Sequence, residues 1–394
     1  MEEWLEKGEN AIFHLNDLRD GKFHVEQMPC WITHTNQRTH AIIRENLHLS
    51  PLYAGKIEGV GPRYCPSIED KVVKFAEKSQ HQLFLEPEGR QTLEYYVNGI
   101  STSLPYEVQY AFIRSIAGLE NAEIMRPGYA VEYDYCPPTQ LKATLETKLL
   151  PGLYFAGQIN GTSGYEEAGA QGLIAGANAG LQVLGKPSFI LGREEAYIGV
   201  MIDDLITKGV TEPYRMFTSR AEFRLLLRQD TADLRLTPRA AEAGLVCGKR
   251  VARVEERRTQ LAEALRISRG QSHQGVRVEK LLRRPDVGVL DLPETLRGGI
   301  PLSIWEMLET DLKYEGYIQR QELALGKARN QESKRFPEWI DFNEVPGLRQ
   351  EARQKLSAIR PETLGQAGRI SGITPSDVTL LTIWIERGKP AIPV

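Results

Sequence analysis

Cysteine is scarce in this chain. Its 394 residues hold four, Cys30, Cys65, Cys136 and Cys247, and no two of them form a Cys-x-x-Cys pair. That excludes a disulfide framework and a thiolate metal cage, and it predicts a reducing, cytoplasmic address. No uninterrupted apolar run of about 18 residues occurs, so no membrane span is expected. The opening Met1-Glu2-Glu3-Trp4 lacks the basic and apolar regions of a signal peptide. Internal repeats and low-complexity tracts are also missing. With 35 Gly and 22 Pro the chain is neither collagenous nor disordered in composition.

What is present is the material of a folded protein with a substantial core: 41% hydrophobic and 26% charged residues. The length suggests two or three domains. The net charge of −3 hides an asymmetry: residues 1–186 carry 16 Lys and Arg against 23 Asp and Glu (−7), and residues 187–394 carry 33 against 29 (+4). From Lys249 to Arg284 the count is 11 against 4 (+7). Such a basic stretch suits a polyanionic partner, and it equally suits solvated helix faces.

The pattern divides the chain into residues 1–60, a small α/β piece, residues 61–186, and a mostly α-helical region over 187–394. Pro66 is expected at the first position of a helix running to about Lys78, with Val72, Val73, Phe75 and Ala76 as its apolar face. Gln82–Leu85, Tyr95–Val97 and Tyr129–Tyr135 read as strands, and Pro105–Ile116 as a helix. Gly152–Ala156 reads as a short buried strand, followed by the glycine loop Gly157–Gly164 and a helix to Leu184. A Gly/Gln/Ser break falls near Gly270–Gly275. Thr374-Pro375 reads as an N-cap with proline at the first helical position, opening a largely apolar helix.

Four constellations could carry chemistry. A strand, glycine loop and helix offer bare backbone N–H groups at a positive helix end. The helix that follows contains Gly169, Gly172, Gly176 and Gly180. Glycine costs about 1 kcal/mol per helical position relative to Ala, so four of them call for close packing against a neighbour or a planar cofactor such as flavin. Cys65 lies between Arg63 and Pro66 at a helix start, where a thiolate is stabilised, although Glu69 and Asp70 oppose this and a small buried hydrophobe is the plainer role. The other three cysteines show no such surroundings and are read as structural. Arg220, Arg224 and Arg228, spaced by four, would share one helix face and suit a nucleic-acid backbone or an internal ion-pair network. The basic C-terminal module bears Arg349, Arg353, Lys355, Arg360 and Arg369 among glycine-punctuated short helices.

Three stretches together resemble the MnmG (GidA) family of tRNA-modifying flavoproteins. They are Gly61-Pro62-Arg63-Tyr64-Cys65-Pro66-Ser67-Ile68-Glu69-Asp70-Lys71, the run from Ala156-Gly157-Gln158 through Gly164-Tyr165-Glu166-Glu167 to Asn178, and Glu212-Pro213-Tyr214-Arg215-Met216-Phe217-Thr218-Ser219-Arg220. Lys313-Tyr314-Glu315-Gly316-Tyr317 and Gly368-Arg369-Ile370-Ser371-Gly372 extend the resemblance over nearly the whole chain.

The resemblance implies a partial FAD-binding α/β domain of the glutathione-reductase type, followed by an α-helical tRNA- and partner-binding domain. In this reading 1–60 is an insertion subdomain and 61–186 is the C-terminal part of the FAD/NAD-binding domain. The implied activity is addition of a carboxymethylaminomethyl or aminomethyl group to C5 of the wobble uridine of certain tRNAs. An MnmE-like GTPase would be the partner, and the assembly would be a homodimer within a heterotetramer. Gly157, Gln158, Asn160 and Gly161 would contact FAD. The segment from Gly61 to Phe75, including Val72, Val73 and Lys74, would take NAD(H), and a folate-derived one-carbon unit would be co-substrate. Cys65 would be catalytic, adding to the uracil ring, and Arg220, Arg224 and Arg228 would bind tRNA.

The sequence departs from the family pattern at one point. No Gly-x-Gly-x-x-Gly occurs; Gly59-Val60-Gly61 comes nearest, with Tyr64 at the third glycine position. The chain thus resembles roughly the C-terminal two-thirds of the enzyme. A non-catalytic tRNA- and GTPase-binding fragment is the second reading. A folate-dependent tRNA uridine methyltransferase is the third, opposed by the basic helical extension and by Glu212–Arg220.

Overall fold

The computed structural model describes residues 28–57, 66–332 and 334–388, in two compact units, Met1–Tyr133 and Asp134–Val394. The first unit contains β1 (Trp31–His34), α1 (Gln37–Glu45), α2 (Ile68–Lys74), β2 (Gln82–Pro87), β3 (Tyr95–Asn98) and α3 (Tyr106–Ile113). The strands form an antiparallel sheet in the order β1-β2-β3, with Thr33 opposite Leu83 and Leu85 opposite Val97. Alternation along β2 turns Leu83 into a core with Ile43, Ile68, Val72, Phe112 and Ile116. Asn36 starts α1 through a reciprocal cap: its Oδ1 accepts from the Thr39 N–H at 3.0 Å while Thr39 Oγ1 accepts from the Asn36 N–H at 3.3 Å.

Helix α2 differs from expectation at both ends. Ser67 caps it, its Oγ accepting from the Asp70 N–H at 3.2 Å, so Pro66 lies outside the helix, which ends at Lys74. Ile68 and Val72, one helical turn apart, are the residues that fill the core, whereas Val73 and Phe75 are exposed. Tyr129–Tyr135 is not a strand. Its backbone pairs with no other described segment, and Tyr129, Val131, Tyr133 and Tyr135 are all exposed. Alternation specifies a strand only where one face is buried against something.

The second unit is helical: α4 (Tyr165–Val183), α5 (Tyr197–Lys208), α6 (Ala232–Glu242), α7 (Gly248–Gly270), the small hairpin β4 (Ser272–His273) and β5 (Val276–Arg277), α8 (Val278–Leu282), α9 (Leu302–Glu332), α10 (Gln350–Ile359), α11 (Leu364–Arg369) and α12 (Pro375–Arg387). The expected break near Gly270–Gly275 is that hairpin, turning through Gln274 (φ 51°) and Gly275 (φ 77°). Thr374 caps α12 reciprocally with Asp377, with Pro375 in the first turn. Gly152–Ala156 makes one isolated bridge, Tyr154 to Glu146, rather than a strand, because the described residues place no second strand beside it.

Among the described residues three larger apolar cores hold this unit, beside a small one of Val200, Ala221 and Leu227. One joins Leu141, Leu145, Ile174 and Leu181 to Met201, Leu205 and Tyr214, so residues on both sides of position 187 share it. A second packs α7, α8 and α9 around Trp305, whose indole N–H donates to the Arg297 carbonyl at 3.1 Å. The third unites α10, α11 and α12 around Leu356, Ala367 and Leu381. Each fully buried Leu or Ile contributes about 1.5–3 kcal/mol. The architecture is an α/β region followed by helical domains. Among the described residues no helix is long and apolar enough to cross a membrane.

Candidate functional site

The glycine loop is built from the inside out by buried neutral polar groups. Gly157 (φ 86°) and Gly161 (φ 80°) flank a single tight turn, Gln158–Asn160. A side chain at Gly161 is excluded twice over, by its positive φ and because a Cβ would lie 2.4 Å from Val210 Cγ2. Gln171, wholly buried on α4, reaches back under the turn. Its Oε1 accepts from the Gly157 N–H at 3.1 Å and from Asn160 Nδ2 at 2.9 Å, and its Nε2 donates to Thr162 Oγ1 at 2.9 Å. Thr162 Oγ1 donates in turn to the Gly157 carbonyl at 3.1 Å. Asn160 Oδ1 and Ser163 Oγ are buried and unpartnered, while Gln158 is exposed. The loop therefore holds a fixed shape with Gln158 at its surface and two unpartnered polar atoms, Asn160 Oδ1 and Ser163 Oγ, buried behind it, a frame that fits the polar edge of a planar cofactor.

Helix α4 buries Gln171, Ile174, Asn178 and Leu181 and exposes Gly169, Gly172, Gly176 and Gly180. Among the described residues the close neighbour expected for those glycines is not found: a Cβ at any of the four would meet none of their atoms within 4 Å. Sequence reasoning also passed over Gln171. The signal was its position in phase with Glu167, Ile174 and Asn178, polar and apolar residues on the buried side of a helix of small residues.

A second layer fastens the loop from the Glu212–Arg220 segment. The Tyr214 N–H donates to the Gly161 carbonyl at 2.7 Å, and Glu167 accepts from the Met216 N–H at 2.9 Å and from Arg215 at 3.3 Å. The Tyr214 hydroxyl donates to Asp204 Oδ2 at 3.0 Å, so burial and the neighbouring carboxylate push its pKa up. Asp204 belongs to a charged cluster. Arg193 donates to Asp203 (3.0 Å), Asp204 (2.8 Å) and Glu222 (2.7 Å), and Arg369 from α11 grips both oxygens of Asp203 at 2.6 and 2.7 Å and also pairs with Glu332. Burial works against the Asp204 carboxylate, but Lys208 and Arg193 outweigh it and hold the group below its usual range.

The arginine stripe takes a different form from the expected one. Arg220, Arg224 and Arg228 do not share a helix face, because only short turns cover 218–231. Arg220 is exposed and stacks 4.4 Å over the Tyr214 ring, Arg224 is exposed, and Arg228 is half-buried with Asp230 (3.0 Å) and Asp311 (2.5 Å). Tertiary bonds to the glycine loop fix the first part of this segment and override its helical spacing.

The expected dinucleotide segment lies in the other unit. Gly61, Pro62, Arg63, Tyr64 and Cys65 fall outside the described residues. Of the rest, Ile68, Glu69 and Val72 are buried. Glu69 Oε1 accepts from Thr102 Oγ1 and the Ser103 N–H, both at 2.9 Å, and its Oε2 has no partner. Asp70 pairs with Lys74 at 3.2 Å and accepts from the Tyr53 hydroxyl, whose pKa burial and Asp70 push up to about 12. Lys71 Nζ donates to the Gly99 carbonyl at 2.8 Å. Cys247, expected to be merely structural, is exposed at the N-cap of α7, and the backbone N–H groups of Arg250 and Lys249 lower its thiol pKa.

Family profiles match most of the chain: "Glucose inhibited division protein A" over residues 2–187, "tRNA modifying enzyme MnmG/GidA C-terminal helical domain" over 248–322, and the "C-terminal helical bundle" of the same enzyme over 324–392. Proteins named tRNA uridine 5-carboxymethylaminomethyl modification enzyme MnmG are similar throughout. That of Caldicellulosiruptor saccharolyticus is 51% identical over 386 residues, covering 93% of this chain and 62% of the relative. That of Geobacter sulfurreducens is 53% identical over 381 residues, covering 91% and 61%. The solved structure of Aquifex aeolicus GidA in its form I crystal is similar with a TM-score of 0.79 and 50% identity, over 92% of this chain and 60% of that one. The chain thus spans about three fifths of the length of the relatives it matches.

Proposed function

This chain belongs to the MnmG/GidA family, and on that premise we propose that it forms part of an FAD-dependent enzyme that modifies C5 of the wobble uridine of certain tRNAs. The added group is carboxymethylaminomethyl or aminomethyl, the partner is an MnmE-like GTPase, and the address is the cytoplasm. The observation that carries the cofactor reading is the loop Gly157–Gly161, rigidly undercut by Gln171 and left with the unpartnered Asn160 Oδ1. Gly157, Gln158, Asn160 and Gly161 would hold FAD there. When bound, FAD supplies the hydride transfer that reductive one-carbon addition requires. The segment from Gly61 to Phe75 would take NAD(H), and a folate derivative would bring the carbon.

Cys65 is the proposed nucleophile, on the resemblance of its motif. Its thiolate Sγ bonds to C6 of the uracil, and the C5–C6 electron pair moves onto C5 and the adjoining carbonyl. C5 then attacks the one-carbon electrophile. Loss of the C5 proton and expulsion of the thiolate restore the ring. The helical region over 187–394 would bind tRNA and the GTPase, with Arg220 and Arg224 exposed for phosphate and Arg228 already committed to Asp230 and Asp311.

The visible absorption spectrum of the purified chain, with quantitation of flavin released on denaturation, tests the cofactor reading. Near-stoichiometric FAD is the expected result. A colourless protein that fails to bind added FAD overturns it and leaves tRNA and partner binding, the alternative function. Cys65→Ser, tested in a protein of the relatives' full length, should abolish modification with the fold intact; normal activity removes the nucleophile assignment.

A further inference from the structure

Helix α9 carries a feature that none of the roles above uses. Its inner side packs Ile304, Trp305 and Leu308 into the core. Its outer side presents Tyr314 and Tyr317, 46% and 56% exposed, with ring centroids 6.3 Å apart. Arg320, one turn on, lies over the Tyr317 ring at 4.6 Å and is held there by its Nε donating to the Gly316 carbonyl at 3.1 Å. Three planar groups thus ascend one helix face at a spacing of three. Beside them Gly316 leaves open space: a Cβ there would meet nothing within 4 Å.

Further arginines flank the same stretch of helix on its Glu315 side: Arg283 of the α8 end pairs with Glu315 and Glu279, Arg269 also pairs with Glu279, and Arg284 is exposed, while Arg320 supplies the positive charge of the aromatic face itself. Arg283 and Arg269 together hold the Glu315 carboxyl below its usual range.

We propose that Tyr314, Tyr317 and Arg320 form a stacking platform for unpaired RNA bases, with the neighbouring arginines drawing the phosphates. Exposed rings suit single strands because every base has a π face, and a backbone patch without side chains lets the strand approach closely. The positive balance of residues 249–284, 11 basic against 4 acidic, suits a polyanion, and among polyanions the exposed rings favour one with unpaired bases to stack on them. This inference rests on the tRNA reading given above and adds the kind of RNA contacted and the side chains that contact it.

The test measures binding of the full chain to a fluorescent 12-nucleotide oligouridylate, to an RNA duplex of equal length and to bulk tRNA, across a salt series. The wild type should prefer the single strand to the duplex. The double variant Tyr314→Ala/Tyr317→Ala should lose about tenfold or more in affinity for oligouridylate and tRNA, while Tyr314→Phe/Tyr317→Phe stays within about twofold. The salt slope of the alanine variant should match the wild type, since no phosphate contact is removed. Tyrosine-dependent oligouridylate binding without tRNA binding would sustain the platform and sink the tRNA reading. Tight tRNA binding that ignores the alanine changes would do the reverse, and no RNA binding at all would end both. An alanine variant that binds RNA normally but loses self-association in sedimentation would make the face a protein interface and overturn the proposal.

Discussion

The loop at Gly157–Thr162 and the seam beneath α5 are both buried and both polar, yet one is held by neutral amides and hydroxyls and the other by full charges. Gln171, Asn160 and Thr162 bond one another and the loop backbone without an ionisable group, leaving only Asn160 Oδ1 of their side-chain atoms unpartnered. Arg193, Asp203, Asp204, Arg369 and Glu332 do their joining with ions. The difference teaches where each chemistry is useful. A neutral network fixes a backbone shape without imposing a field on whatever the loop binds. A charged network ties separate elements, here α5 to the terminal helical bundle, and any loss of one member strands another charge.

The largest effect should come from breaking the charged seam. Arg193→Met leaves Asp203 and Asp204 short of a cation and should cost about 3–5 kcal/mol in urea unfolding; Arg369→Met should cost somewhat less, since its site is more open. A loss under about 1 kcal/mol would mean the seam relaxes around water. Next, Gln171→Leu orphans the Gly157 N–H and removes one of the two acceptors of Asn160 Nδ2, which keeps the Phe155 carbonyl, for about 2–3 kcal/mol. It should also cut flavin retention at least tenfold, and its stability penalty should not vary between pH 5 and 8, unlike that of the seam variants at lower pH.

A pH titration sharpens the contrast by comparing the two units. In the first, His40 and His81 lie with ring centroids 5.2 Å apart. Burial lowers the pKa of both below 6.5; His81 and then Arg44 further disfavour the charge at His40, and Lys71 and Lys78 do so at His81 despite Glu77. The unfolded state then binds more protons, so the stabilisation is complete above pH 6.5 and is lost as pH falls below it. In the second unit Lys142, then Gly152, holds Glu146 at about 2, and Arg349 holds Asp377 at about 2. Their contribution is present above the ordinary carboxylate range and is lost only as pH falls toward 2. Hydrogen exchange at pH 7, 5.5 and 4 should therefore show the first unit loosening before the second. Simultaneous loss would contradict the assignment, and His81→Gln should flatten the first transition. The smallest effect concerns Cys247: alkylation at neutral pH should be faster there than at Cys30 or Cys136, and Cys247→Ser should leave stability unchanged.

Legibility followed the range of the interactions. The Thr374 cap, strands β2 and β3, helix α4 and the break near Gly270–Gly275, though not its hairpin form, were readable because each rests on residues close in the chain. The arginines at 220, 224 and 228 misled because helical spacing is only a tendency, and the Tyr214 bond to Gly161, 53 positions away, holds the segment in another shape. Tyr129–Tyr135 misled because alternation does not create the partner a strand requires. The turn around Gly157 and Gly161 was legible from its glycines, and the role given to Gly157, Gln158, Asn160 and Gly161 comes from the family resemblance; Gln171, which shapes them, was not legible, since a side chain reaching back under a turn leaves only a helical phase in the sequence.

By itself the sequence determined the succession of an α/β part and a helical part, the caps and turns that bound most elements, the basic bias of the second half and the motifs of the family. Those are matters of composition and of short-range backbone and side-chain geometry. Only the tertiary structure decided that Tyr214 would fasten the glycine loop, that Arg369 would close on Asp203 from 166 positions away, and that no other described residue would pack on the glycines of α4. Pairing buried polar groups is a condition on neighbours in space, and a linear pattern lists candidates for those pairs without saying which will meet.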